Sequence, residues 1–194
     1  MLRELFDLFR TPRPAADLRD DCIWHSGLLR REGIRRETEA SLGEGRSTLI
    51  LAVDATEIAH LAAILAAHHP LDCRRPGFAG AMCELGADAR PVILGSAGKP
   101  PPAELVARHA PIDVTVCGRH DRRTEDDALV RYALSLGPRT SITFHLALDD
   151  ALMAGLAPTL QPLLAALGDD GSEPISNAQC TKAIERWQAR RSAA

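Results

Sequence analysis

The chain has 194 residues, 45% of them apolar and 25% charged, with a net charge of −3. That size and apolar share suit one compact α/β domain with short appendages, and the slight acidity excludes general nucleic-acid binding, which needs a strong basic excess. No apolar run approaches the ~20 residues that span a bilayer, and Cys22, Cys73, Cys83, Cys117 and Cys180 form no CxxC pair, which points to reduced thiols in a cytoplasmic protein.

Leu2, Leu5, Phe6 and Phe9 fall at i, i+3, i+4 and i+7, one face of a helix. Pro12 and Pro14 then form a stiff, helix-breaking connector, so residues 1–20 read as an amphipathic helix on a Pro-rich tether. Such a helix can dock on its own domain, on a protein partner or at a membrane surface. Docking in cis is the simplest reading, and Glu4 and Asp7 weaken the membrane option. The first ten residues (MLRELFDLFR) carry two acidic residues and no signal-peptide core, so export is not expected.

Residues 30–42 predict a polar helix, with Arg30, Arg31, Arg35 and Arg36 on a solvated charged face. Residues 48–53 (TLILAV) form an unbroken apolar run of the kind found in strands buried on both sides. Asp54 or Thr56 can cap the helix that follows, which buries Ile58, Leu61, Ala62 and Leu65. The stretch 71–90 reads as irregular. Further strands are expected at 91–94, 112–117 and 141–148, with helices at 104–109 and 124–136. A helical stretch from 151 to 167, a break, and a final helix over 175–191 complete the chain. Strands alternating with helices imply a mostly parallel sheet covered by helices on both faces, a three-layer α/β fold.

Several constellations invite chemistry and fall short of it. Residues 95–99 (GSAGK) follow a strand and end in Gly-Lys, as a phosphate-binding loop would. Pro100 stands where the magnesium-binding hydroxyl belongs, and Pro100 to Pro102 lack the N–H groups a helix start would offer. Residues 43–48 (GEGRST) precede their strand instead of following it. His68, His69, Asp72 and Cys73 match no zinc spacing, so no metal site is expected. Cys117, followed by His120 and Asp121, could be a thiol beside a base, although a structural cysteine is the simpler reading.

Residues 118–126 (GRHDRRTED) resemble the ERHESRRIDNQ stretch of SecA, the ATP-driven motor of bacterial preprotein translocation. Residues 137–153 (GPRTSITFHLALDDALM) look like its GDPGSSRFYLSLEDDLM, after a spacing that differs by about one residue. Three shorter matches keep the same order. Residues 21–24 (DCIW) are similar to DLIY, residues 46–55 with Glu57 to GQPVLVGTISIE, and residues 175–185 to IESKLVTRAIE. The likeness covers residues 21–188 and concerns the second motor domain. It implies a RecA-like fold of the helicase C-terminal type over 21–174, with a C-terminal helix over 175–194.

The resemblance also marks what is missing. The family places ATP between two RecA-like domains, and the first, which carries the P-loop, has no counterpart here. The NMAGRGTDI loop has become GSAGK, and of the arginine-finger helix only Arg131 remains. A finger supplies ~10³–10⁵ in rate, so no catalytic residues and no cofactor are expected in the isolated chain. The expectation is a non-catalytic pseudo-motor module that binds a protein partner, near protein translocation. Arg119, His120, Arg122, Arg123 and Arg131 are its candidate anion- or partner-binding residues, and Leu2, Leu5, Phe6 and Phe9 its docking face. The alternative to a partner surface for the arginine patch is an internal ion-pair network with Asp113, Glu125, Asp126 and Asp149. Two other functions stand beside the binding module: half of an ATP site completed in trans, and a small enzyme using Cys117, His120 and Asp121.

Overall fold

A computed structural model describes residues 17–68, 72–74, 81–84, 90–166, 171–176 and 178–192. The docking face expected of Leu2, Leu5, Phe6 and Phe9 lies outside them. In chain order the elements are β1 (Asp17–Leu18), β2 (Cys22–Trp24), α1 (Gly27–Gly43), β3 (Ser47–Ala52), α2 (Ala55–His68), β4 (Asp72–Arg74), β5 (Ala81–Glu84) and β6 (Val92–Ser96). There follow α3 (Ala103–Ala107), β7 (Ile112–Cys117), α4 (Arg123–Ser135), β8 (Thr140–Ala147), a 3₁₀ turn (Ala151–Gly155), α5 (Ala157–Ala166), β9 (Ile175–Ser176) and α6 (Ala178–Ser192).

All of these strands join one sheet in the order β4-β5-β6-β3-β7-β8-β2-β9, with β1 also on β8. The centre is parallel, from β6 through β3, β7 and β8 to β2, and β4, β5 and β9 add antiparallel edges. The chain is therefore a three-layer α/β fold with a mostly parallel sheet. Two local expectations change. The stretch read as irregular holds β4 and β5, and residues 175–176 pair with β2 instead of opening the last helix. All three strands are too short to leave a periodic signature.

Alternation along the strands sorts the two faces. Leu49 and Leu51 of β3 join Val114, Val116, Ile142 and Phe144 in one core, closed by Val106 of α3, Leu129 and Ala133 of α4 and Ile184 of α6. Ile50 and Ala52 point the other way, to Ile34 of α1 and Leu61 and Leu65 of α2.

Helix α1 covers a polar part of that second face. Asp113 of β7 accepts hydrogen bonds from Ser41 (2.8 Å), Arg46 (2.6 and 2.7 Å) and Ser141. His145 of β8 accepts from the Trp24 indole at 3.2 Å and sits 2.8 Å from Glu37. A helix with little hydrophobic bias can be packed here because Ser41 and Glu37 on its inner side meet Asp113 and His145 of the sheet beneath it. Ser26 caps its start through Leu29 N–H at 3.3 Å.

The α1 backbone comes close to the sheet at Gly33, where an added Cβ would lie 2.1 Å from the Trp24 ring. Gly33→Ala is expected to lower stability by ~1–3 kcal/mol, since ring and helix must separate. Gly43→Ala at the end of the same helix, with nothing within 4 Å, is expected to be neutral or mildly stabilising. Urea denaturation of both variants checks the contrast.

Candidate functional site

The parallel strands β6, β3, β7, β8 and β2 end at a common edge, and their neighbours diverge there. The chain leaves β3 for α2 on one face and leaves β7 for α4 on the other. The adjacent strands β3 and β7 thus form a switch point, where open α/β sheets hold their ligands. A crevice of about 580 Å³ opens at that point, lined by Val53, Asp54 and Glu57 after β3, by Cys117 at the end of β7 and by residues 118–122 after it. Asp149 to Leu152 after β8, with Arg30 of α1, close its far side.

Gly118 makes the exit from β7, with φ of +93°, and its amide donates to the His145 carbonyl at 2.8 Å. Arg119 then turns inward. Its guanidinium reaches Asp21 at 2.7 and 3.1 Å and Asp126 at 3.1 Å, and lies 4.1 Å from the centre of the Phe144 ring. Its side chain is only 5% exposed. Asp126 also accepts from the His120 amide at 3.0 Å and from Gln188 of α6 at 2.7 Å, and lies 2.8 Å from the His120 ring nitrogen Nδ1. Gln188 donates in addition to the His120 carbonyl at 2.7 Å.

The charges of this network follow from its contacts. Burial works to raise the Asp126 carboxyl, but the hydrogen bonds from His120 and Gln188 outweigh it and hold it below its ordinary value. Asp21, more deeply buried, is pushed up by desolvation despite Arg119. The hydrogen bond to Asp126 raises His120.

A second buried cation sits across the crevice. Arg30 donates to both Asp150 oxygens at 2.6 Å and lies 3.3 Å from Glu57, which also receives Arg31 at 3.0 and 3.1 Å. Asp149 accepts from the Gly27 amide at 2.9 and 3.1 Å, and Asp150 from the Ala147 amide at 2.8 Å. Arg30 was expected on a solvated face and is 4% exposed, because α1 begins against the carboxylates that follow β8.

The candidate anion- or partner-binding residues therefore separate. Arg119 and His120 belong to the internal network, and its partners are Asp21 and Asp126; Asp113 and Asp149 serve other contacts. Arg122, Arg123 and Arg131 remain exposed on or beside α4. Arg123 lies 3.3 Å from Glu185 and 3.8 Å from Asp127. Asp21, Glu57 and Gln188 carry no local signal of network membership, because each meets a partner from 60 or more positions away in the chain.

The Cys117 thiol faces Glu57 at 3.7 Å, and desolvation pushes it up to about 12, the opposite of an activated nucleophile. His120 is engaged with Asp126, and Asp121 lies out at the surface, 3.4 Å from Arg191. The loop after β6 closes as a tight turn through the Ser96–Lys99 bridge, and α3 starts only at Ala103. That form differs from the open loop at a helix N-terminus that surrounds a phosphate. Among the described residues no group of three or more His, Cys, Asp or Glu could hold a metal ion, and no helix is long and apolar enough to cross a membrane. A scan of protein-family models returns no match to this chain, and a search of curated proteins returns none.

Arg119→Ala is expected to cost ~3–5 kcal/mol, since it leaves buried Asp21 and Asp126 without their cation, whereas Arg122→Ala stays within ~0.5 kcal/mol. Urea denaturation at neutral pH compares the two. Acid has a defined effect as well. Asp126, Glu57, Asp113 and Glu37 all have carboxyls lowered by their partners against the opposing effect of burial. The stability they contribute is present above the unfolded value near ~4 and is lost as pH falls through their folded values. Denaturation midpoints should fall steeply below pH ~4, and Asp126→Asn should flatten that dependence.

Proposed function

We propose that this chain is a non-catalytic module derived from a motor-type domain, which acts by binding a protein partner. One observation carries the reading: the cations buried around the switch-point crevice are neutralised from within, Arg119 by Asp21 and Asp126 and Arg30 by Asp150 and Glu57. Nucleotide phosphates need cations and backbone amides aimed outward at the ligand. This crevice instead presents Asp54, Asp121, Glu125 and Asp149 at its surface, and of its arginines only Arg122 is exposed. The tight turn after β6 supports the same reading. So does the resemblance to the second SecA motor domain, with its ATP-facing loops replaced and its Arg119-containing signature kept. A role near protein translocation rests on that resemblance alone.

Isothermal titration of the purified chain with Mg²⁺-ATP is expected to give no saturable heat, and retention of its protein partner should not depend on ATP. Saturable binding at micromolar concentrations by the isolated chain would overturn the reading.

A second reading, half of an ATP site completed in trans by a P-loop partner, is favoured by the exposure of Arg122, Arg123 and Arg131 along α4. It predicts ATP-dependent association with a P-loop protein. Arg123→Ala and Arg131→Ala would then lower ATP turnover of the mixture by ~10³-fold. Unchanged turnover removes it.

A further inference from the structure

Helix α6 seats one side on the domain through Ile184, Trp187 and Gln188. Trp187 donates its indole N–H to the Leu152 carbonyl at 3.0 Å, and its ring packs where a Cβ on Gly155 would lie 2.2 Å away. The opposite side carries Lys182, Arg186 and Arg190, all exposed and spaced four residues apart. That spacing stacks them in one row, ~6 Å between neighbours and ~12 Å from end to end. Arg123, from the start of α4, stands beside the row, and the four residues Arg123, Lys182, Glu185 and Arg186 with Ala189 line a groove of about 380 Å³.

The helix's own electrostatics account for only part of this row. Arg190 in the last turn complements the negative C-terminal end of α6. Lys182 sits just past the first turn, which holds no acidic residue, where a cation opposes the helix dipole. Glu185 is engaged with Arg123 at 3.3 Å. Among the described residues no carboxylate lies within salt-bridge distance of Lys182, Arg186 or Arg190. In a chain with a net charge of −3, one outward helix face thus carries a row of cations with no carboxylate partner among the described residues.

We infer that this face of α6, with Arg123, docks an acidic helical segment of a protein partner, one with carboxylates at i, i+4 and i+8 that match the three cations. The inference rests on the partner-binding reading and names the partner's chemistry. Charge complementarity at this spacing selects a helix, whose carboxylates repeat at the same interval. Nucleic acid fits less well. Trp187 is turned into the domain, so it offers no ring on this face to stack on a base.

The test uses a fluorescein-labelled alanine-based peptide with Glu at i, i+4 and i+8, and the same peptide with Gln at those positions. Fluorescence anisotropy should show saturable binding of the Glu peptide to the full chain at ~0.02 M salt, weakened ~10-fold or more at ~0.2 M. The Gln peptide should not bind. Lys182→Glu with Arg186→Glu and Arg190→Glu should lower affinity at least ~10-fold with melting unchanged. The milder Lys182→Gln with Arg186→Gln serves if the charge reversal perturbs folding. Arg108→Glu with Arg139→Glu, exposed arginines elsewhere, should leave binding unchanged. Equal binding of the Gln peptide, no loss in the α6 variants, an equal loss in the control, or tighter binding of a single-stranded oligonucleotide would each overturn the proposal. None of these outcomes bears on Mg²⁺-ATP binding, which decides the broader reading separately.

Discussion

Arg119 leaves the carboxyl end of β7 and turns into the domain, where Asp21 and Asp126 hold its guanidinium above the ring of Phe144. A cation at that depth is tolerable only with both carboxylates in place, and each carboxylate only with the cation. Asp21 precedes β2, Asp126 lies in the first turn of α4, and Gln188 brings α6 to the same oxygens. One buried charge cluster therefore fixes how the last helix, the α4 entrance and the β2 edge meet at one corner of the sheet. Apolar packing alone tolerates sliding between such elements, whereas hydrogen-bonded charges accept one arrangement.

The same logic operates on the other face. Helix α1 lies against Asp113, Ser141 and His145, and its Arg30 is buried on Asp150. Asp113 meets Ser41 of the helix and Arg46 of the loop that follows it, and His145 lies 2.8 Å from Glu37 of the helix. The two buried arginines thus flank the switch-point crevice without presenting charge to it. Exposed cations include Arg122, Arg123 and Arg131 on or beside α4 and Lys182, Arg186 and Arg190 on the outer side of α6. The cations nearest the crevice therefore have their anion-pairing capacity turned inward, and of the arginines lining it only Arg122 is exposed.

The long elements were legible in the sequence because burial leaves a period. The TLILAV run of β3, the IDVTVC of β7 and the amphipathic face of α2 are each imposed by one or two apolar layers, and the structure places them within a residue or two of the expected ends. β4, β5 and β9 were not legible. They have four residues or fewer, and their strand character comes from a neighbour's open edge, which no local pattern records. Within the candidate site, the signature around Arg119 was visible as a motif, but its direction was not. A run of Arg, His and Asp after a strand is equally consistent with an outward anion site and an inward ion pair. Asp21, 98 positions away, decides between them.

The sequence by itself determined the alternation of strands and helices, the parallel centre of the sheet, and the run from Pro100 to Pro102 that withholds backbone donors after β6. These follow from local stereochemistry and hydrophobic period. Only the tertiary structure decided which charges are inside. Arg30 and Arg119 carry the same side chain as Arg122 and Arg131, and what separates them is whether a carboxylate distant in the chain is brought within hydrogen-bond reach. That is a property of strand order and helix seating, because the energy of a buried charge depends on its neighbours in space and not on those in sequence.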